Sequence, residues 1–142
     1  MIFIPGNAIS KKNHKVISRF AYGKNKGKPF LRNTDTYLNW AEETKYYINL
    51  NRTNFKKQLA DLPKPYILGI HFVRKTKQAF DFNNLSQGIM DVLVSQQILS
   101  DDNLDEVFPI PIIKNGRFYS VNKLMPGIYL QFISHQKYPY VL

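Results

Sequence analysis

The order of apolar and polar positions divides the chain into segments of two different periods. Residues 1–5 form a short apolar run that stops at Pro5-Gly6, which predicts a first strand. Asn33 or Thr34 is placed to cap a helix that begins near Asp35, whose charge suits the positive end of the helix dipole. Tyr37, Trp40, Ala41, Thr44, Tyr47 and Ile48 then recur at helical spacing to about Asn51 or beyond, and this aromatic stripe is expected in the core. Leu62-Pro63-Lys64-Pro65 ends the helical region. Residues 66–73 alternate loosely and are rich in β-formers, which predicts a central strand. His71 within it is expected to be a sheet histidine, since no second His or acid stands at ligand spacing nearby.

A second helix is predicted from about residue 84 to 96. Leu85, Ile89, Val92 and Leu93 supply its buried side, while Asn84, Gly88 and Asp91 share another face at i, i+4, i+7. Residues 99–103 read as a loop, 107–113 as a strand, Asn115-Gly116 as a hairpin turn, 117–121 as its partner and 127–134 as a last strand. The apolar tail, 138–142, is a candidate docking or dimer-contact segment, as is the last strand. With no repeat and no boundary, residues 1–142 are expected to form a single small α/β domain with a mixed sheet and two main helices.

Charge changes this picture. The 142 residues carry a net charge of +10, distributed very unevenly. Residues 1–80 hold 16 Lys/Arg against 4 acids, a net of +12, whereas residues 81–142 hold 4 against 6, a net of −2. Nucleic acid is the expected partner of such a balance. Lys11, Lys12, Lys15, Arg19, Lys24, Lys26, Lys28 and Arg32 are interleaved with Asn13, His14, Phe20 and Tyr22, and no acid lies among them. Cations so spaced neutralise phosphates, and aromatics stack on unpaired bases; a solvated basic hairpin is the plainer alternative. Residues 22–29 look like a mobile turn or loop, and Arg74, Lys75 and Lys77 form a second basic loop. The absence of cysteine excludes disulfides, thiolate zinc sites and Cys nucleophiles. The first twelve residues contain no long apolar run, so neither a signal peptide nor a membrane span is expected, and a cytoplasmic location follows.

Six of the ten acids, Asp81, Asp91, Asp101, Asp102, Asp105 and Glu106, fall between residues 81 and 106, where there is no Lys or Arg. Carboxylates gathered without counter-charge repel one another, and a divalent cation relieves that repulsion. Hard oxygen ligands suit Mg²⁺ or Mn²⁺. An acid cluster for metal within a body for phosphate backbone suggests a nuclease. Asp81, between strand and helix, suits a metal ligand or an N-cap; Asn84 caps the second helix or orients Asp81. Asp91, about 10 Å along that helix from Asn84, is either an outer ligand or an acid behind the ligands. Asp105 and Glu106 are expected on a solvated loop face.

In the run Asp81-Phe82-Asn83-Asn84-Leu85, with Asp91 and the Asp101-Asp102 pair at their intervals, the chain resembles the RusA family of Holliday junction resolvases. That family has an Asp-x-Asp-Asn-Leu-x-x-Lys motif opening a helix, an Asp near the helix middle and an Asp-Asp pair about ten residues later. The resemblance implies Asp81, Asp101 and Asp102 at the catalytic centre, with Asn83 and Gln87 in two of its positions and Asp81, Asp91 and Asp102 as Mg²⁺ ligands. It further implies a homodimer that cuts four-way DNA junctions. Asn83 stands where the family has Asp, and Gln87 where it has Lys. The first change loses a negative charge and the second a cation, for which Arg74, Lys75 or Lys77 offers compensation. These departures leave a second expectation: a protein that holds branched DNA without cutting it.

Overall fold

The computed structural model describes residues 1–139 and shows a small α/β domain on a mixed sheet. In chain order the elements are β1 (Ile2–Pro5), β2 (Lys15–Arg19), β3 (Pro29–Asn33), α1 (Asp35–Leu50), α2 (Arg52–Leu59), β4 (Tyr66–Arg74), α3 (Phe82–Ser95), β5 (Val107–Pro111), β6 (Tyr119–Val121) and β7 (Gly127–Ile133). A single 3₁₀ turn follows at His135–Lys137. The expected tail extends past the described residues, since 140–142 lie outside them.

Nine residues long, β4 is the axis of the main sheet. On one side it pairs antiparallel with β7, which in turn pairs antiparallel with β1. On the other side β5 lies parallel along Tyr66–Ile70 and β6 parallel along Phe72–Arg74. Side chains alternate across a strand, so Leu68, Ile70 and Phe72 face one way, with Ile128, Leu130 and Phe132 of β7 and Ile2 and Ile4 of β1. These join Trp40, Ile48 and Phe55 of α1 and α2, and Leu85, Ile89 and Leu93 of α3, in one continuous core. The opposite face of β4 carries His71, fully buried. Its Nδ1 meets the Ile112 carbonyl oxygen at 3.0 Å and its Nε2 meets Ser120 Oγ at 2.8 Å. His71 is thus the sheet histidine expected of it.

The hairpin expected at Asn115-Gly116 is only a local turn. Both residues have positive φ (52° and 73°), and Lys114 bridges Arg117, but 117–121 does not return along β5. It continues beside β4 instead. The cause lies in Pro109 and Pro111. The Ile112 N–H donates to the Ile70 carbonyl, so by the period of two the missing N–H groups of both prolines fall on the free side of β5. That edge offers no donor to a partner strand.

The last strand is likewise unavailable as a dimer contact through its edges, because β7 is interior, with β1 on one side and β4 on the other. The first helix breaks at Asn51 and resumes as α2, adding Phe55 to the core. Asp81, not Asn84, caps α3, which therefore begins two residues earlier than expected.

Candidate functional site

The basic arm forms its own antiparallel ribbon, β2 against β3, separate from the main sheet. An isolated two-stranded ribbon has little burial to hold it, and here the turn supplies the order. Gly27 N–H donates to the Phe20 carbonyl at 2.9 Å, Lys28 N–H to Asn25 at 2.9 Å, and Arg19 Nη1 to the Gly27 carbonyl at 2.7 Å. Gly23 and Gly27, at φ 84° and 80°, accommodate backbone that other residues adopt at a cost. The expected loop is accordingly a folded turn. Lys12, Lys15, Arg19, Lys24, Lys26 and Lys28 are exposed along it, and Phe20 stacks on Phe30 at 4.5 Å.

Lys11 departs from this group. Its Nζ lies 3.0 Å from Asp91 Oδ2, reaching from the arm onto α3. Asp91 and Asp102 both open onto a cavity of about 380 Å³ between α1 and α3, whose wall includes Lys11, Tyr37 and Lys45. Burial, the neighbouring Asp101 and the charge of Asp91 together hold the Asp102 carboxyl above the usual aspartate range. Burial, then the charge of Asp91, push the Tyr37 phenol up to about 12, so it keeps its proton and remains a donor at neutral pH. Asp101 is committed to its own loop: Oδ1 accepts from the Asp102 N–H at 2.7 Å and Oδ2 from Asn103 Nδ2 at 2.9 Å.

Asp81 faces elsewhere. Its Oδ1 caps α3 by accepting from the Asn83 N–H at 2.8 Å. It lines a second cavity, about 410 Å³, together with Asn84, Arg74, Ser10, Asn13 and His14. Burial lowers the Arg74 guanidinium pKa from its ordinary value. Arg74 Nη1 donates to the Ala8 carbonyl at 2.6 Å, while its Nε and the Ser10 hydroxyl are buried without a protein partner.

What separates the two cavities is visible on α3. Asn84, Gly88 and Asp91 do share a face, but Gly88 is buried beneath the Trp40 ring. A Cβ at Gly88 would stand 3.4 Å from that ring and 3.6 Å from the Ile9 carbonyl oxygen. The middle of the acid-bearing face is therefore packed against α1, with Asp81 at one end and Asp91 with Asp102 at the other. Among the described residues, no three His, Cys, Asp or Glu side chains come together as a metal-ligating group. Asn83 and Gln87 are exposed on α3 and line neither cavity, and Lys75 is exposed in the loop before it.

One acid of the stretch has a role that sequence did not indicate. Glu106, expected on a solvated face, is buried; its carboxylate accepts from Lys64 Nζ at 2.5 Å and from the Ser100 N–H at 3.1 Å. Burial pushes its pKa up, but those hydrogen bonds outweigh burial and hold it below the usual glutamate range. Ser10 and Asn7, which line the Asp81 cavity, carried no signal beyond their nearness to the basic arm.

Mg²⁺ keeps several of its waters and is commonly bound through one or two carboxylates. Asp91 and Asp102 fit such an ion, provided that the Lys11 ammonium yields its place on Asp91. Asp81 stands outside that pair. Among the described residues no helix is long and apolar enough to cross a membrane. Comparison of the chain with protein-family models, curated proteins and solved structures finds no match.

Proposed function

We propose that this protein is a structure-selective endonuclease of RusA type, acting in the cytoplasm on four-way DNA junctions as a homodimer. The observation that carries the reading is the cavity shared by Asp91 and Asp102, where desolvation, then the neighbouring carboxylates, raise Asp102 above its ordinary pKa. An acid with a raised pKa in a cleft of a basic body marks a functional-site candidate. A divalent cation held there, Mg²⁺ or Mn²⁺, would supply Lewis-acid polarisation of a phosphodiester and an activated water. The exposed cations of the β2–β3 ribbon bring the DNA backbone to the domain. The major groove of a duplex arm is wide enough for a two-stranded ribbon. Arg74 and Ser10, with unpartnered polar atoms in the Asp81 cavity, offer donors to a phosphate oxygen. Tyr37 is a further donor in the Asp91 cavity.

A second reading is favoured by a specific contact: Lys11 on Asp91 puts a built-in cation where metal would bind. With Asn83 and Gln87 in place of the family's Asp and Lys, the protein then holds branched DNA without cutting it. Single-turnover cleavage of a labelled four-way junction, with Mg²⁺, with Mn²⁺ and with EDTA, separates the two. The wild type is expected to cut slowly with metal. Asp102→Asn is expected to abolish cutting and leave binding equal or tighter, because one negative charge facing DNA is removed. Asn83→Asp with Gln87→Lys, which puts the family's residues back on the exposed side of α3, is expected to raise the rate only if the resemblance and not the Asp91 cavity sets the metal site. Cutting by the restored protein alone would establish the binding module; equal rates in all three would remove the acids from the active site.

Two symmetric cuts in a junction call for two symmetric sites. Sedimentation at micromolar concentration is expected to show the dimer, and a clean monomer of 16.6 kDa would count against it.

A further inference from the structure

Phe80 and Phe82 stand on either side of Asp81 in the chain and together line a cavity that Asp81 does not, while Phe80 also borders the Asp81 cavity. That cavity, of about 440 Å³, is walled by Ala79, Phe80, Phe82, Pro111, Phe118 and Tyr119. Three of its rings are held in place. Tyr119 meets Phe80 edge-on at 5.2 Å and 89°, and Phe72 of the core packs against Phe80 at 5.8 Å and Phe82 at 5.9 Å. The Arg74 guanidinium lies 5.1 Å from the centre of the Phe80 ring. The fourth ring, Phe118, is 60% exposed. Phe118 and Tyr119 also line an adjoining cavity of about 390 Å³ that adds Lys77 and Arg117, and among the described residues no carboxylate lines either space.

Resting on the nucleic-acid reading above, we propose that this aromatic pocket takes one unpaired nucleobase of the bound strand. Lys77 and Arg117 would meet the phosphate next to that base. Aromatic walls with cations at the rim are the two components of single-strand binding: every base has a face to stack, and every nucleotide carries a negative charge. Position supports the same occupant. The pocket shares Ala79 and Phe80 with the Asp81 cavity, so a strand leaving that cavity meets the aromatic wall at once. A second copy of the chain is a poorer occupant, because a two-fold contact here brings Lys77 and Arg117 of both copies together without an acid to pair them. In an intact duplex the bases are stacked on one another. The pocket therefore acts only where pairing is broken, at a branch point, a flap or a single strand.

The test uses the full chain in EDTA, which removes cleavage from the measurement. Wild type, Phe118→Ala and Phe118→Tyr are compared for affinity to a single-stranded oligothymidine and to a fully paired duplex. A four-way junction carrying 2-aminopurine beside the branch point reports base stacking by its fluorescence. Phe118 lies outside the core, so the three proteins are expected to melt alike. Phe118→Ala is expected to weaken single-strand binding by about 5- to 150-fold, the range of one lost stacking partner, and to leave duplex affinity unchanged. It should also abolish the 2-aminopurine response, which Phe118→Tyr should restore. Wild-type affinity and response in Phe118→Ala, with DNA binding intact, overturn the pocket alone. Loss of self-association in Phe118→Ala, with unchanged DNA affinity, assigns the pocket to a second copy. No DNA binding by the wild type overturns both this proposal and the function on which it rests.

Discussion

At the scale of single residues, carboxylates of one short stretch have been sorted into different tasks by what surrounds them. Asp102 is raised by burial and by Asp101 and Asp91, whereas Glu106 is lowered by its hydrogen bonds despite burial. The Glu106 contribution has a definite sign. Its folded pKa lies below the unfolded one, so its stabilisation is present above the ordinary glutamate range and is lost as pH falls through the folded value. Lys64 is raised, chiefly by the hydrogen bond it donates to Glu106, so that side of the pair is lost only as pH climbs past the ordinary lysine range. Glu106→Gln is therefore expected to lower the melting temperature at pH 7, with the gap from wild type closing as the pH is taken below the glutamate range. A gap that persists unchanged in acid would show that the pair does not stabilise through charge. Asp102 carries the opposite sign: its ionisation in the fold is costly, so stability declines as pH rises from the ordinary aspartate value through the raised one.

At the scale of elements, β4 and α3 decide what reaches the surface. Gly69 lies mid-strand in β4, where glycine ordinarily weakens a sheet. A Cβ there would lie 2.6 Å from Ile112 Cγ2 and 2.9 Å from Ile133 Cδ1, so the residue is small because Ile112 crosses directly over it. Gly69→Val is expected to cost about 1–3 kcal/mol through overpacking. Urea unfolding reads this as a lower midpoint with unchanged slope; an unaltered midpoint would mean that Ile112 moves aside freely. Gly88 plays the matching part on α3, letting the Trp40 ring close on the helix between the two acid-lined cavities.

At the scale of the whole molecule, the basic and acidic stretches of the chain meet at Lys11–Asp91 and Lys64–Glu106, while most cations of the arm stay free of them. The ribbon holds exposed cations, and the acids collect along α3 and the loop that follows it. Junction DNA is expected to bind in EDTA and to weaken steeply with salt, with a log–log slope of roughly −0.9 for each phosphate contacted. Replacing Lys24, Lys26 and Lys28 by Gln should make that slope shallower by up to about three contacts' worth if the turn is engaged. A flat salt response would eliminate the ribbon as a DNA-binding element.

Much of this was legible in the residues themselves. Local periodicity marked α1, α3, β4 and β7, because a helical stripe or a β-rich run is a property of neighbouring residues. The Trp40 stripe and the sheet role of His71 followed from the same local pattern. Tertiary structure decided what depends on distant partners. Pro109 and Pro111 removed donors from one side of β5 and sent β6 to the edge of β4 instead. Trp40, 48 residues before Gly88, closed the middle of the α3 face and split Asp81 from Asp91 and Asp102. Lys11 and Lys64 found Asp91 and Glu106 across 80 and 42 residues. Sequence spacing lists which charges and rings a chain contains, but which of them meet is settled by packing of segments far apart in sequence.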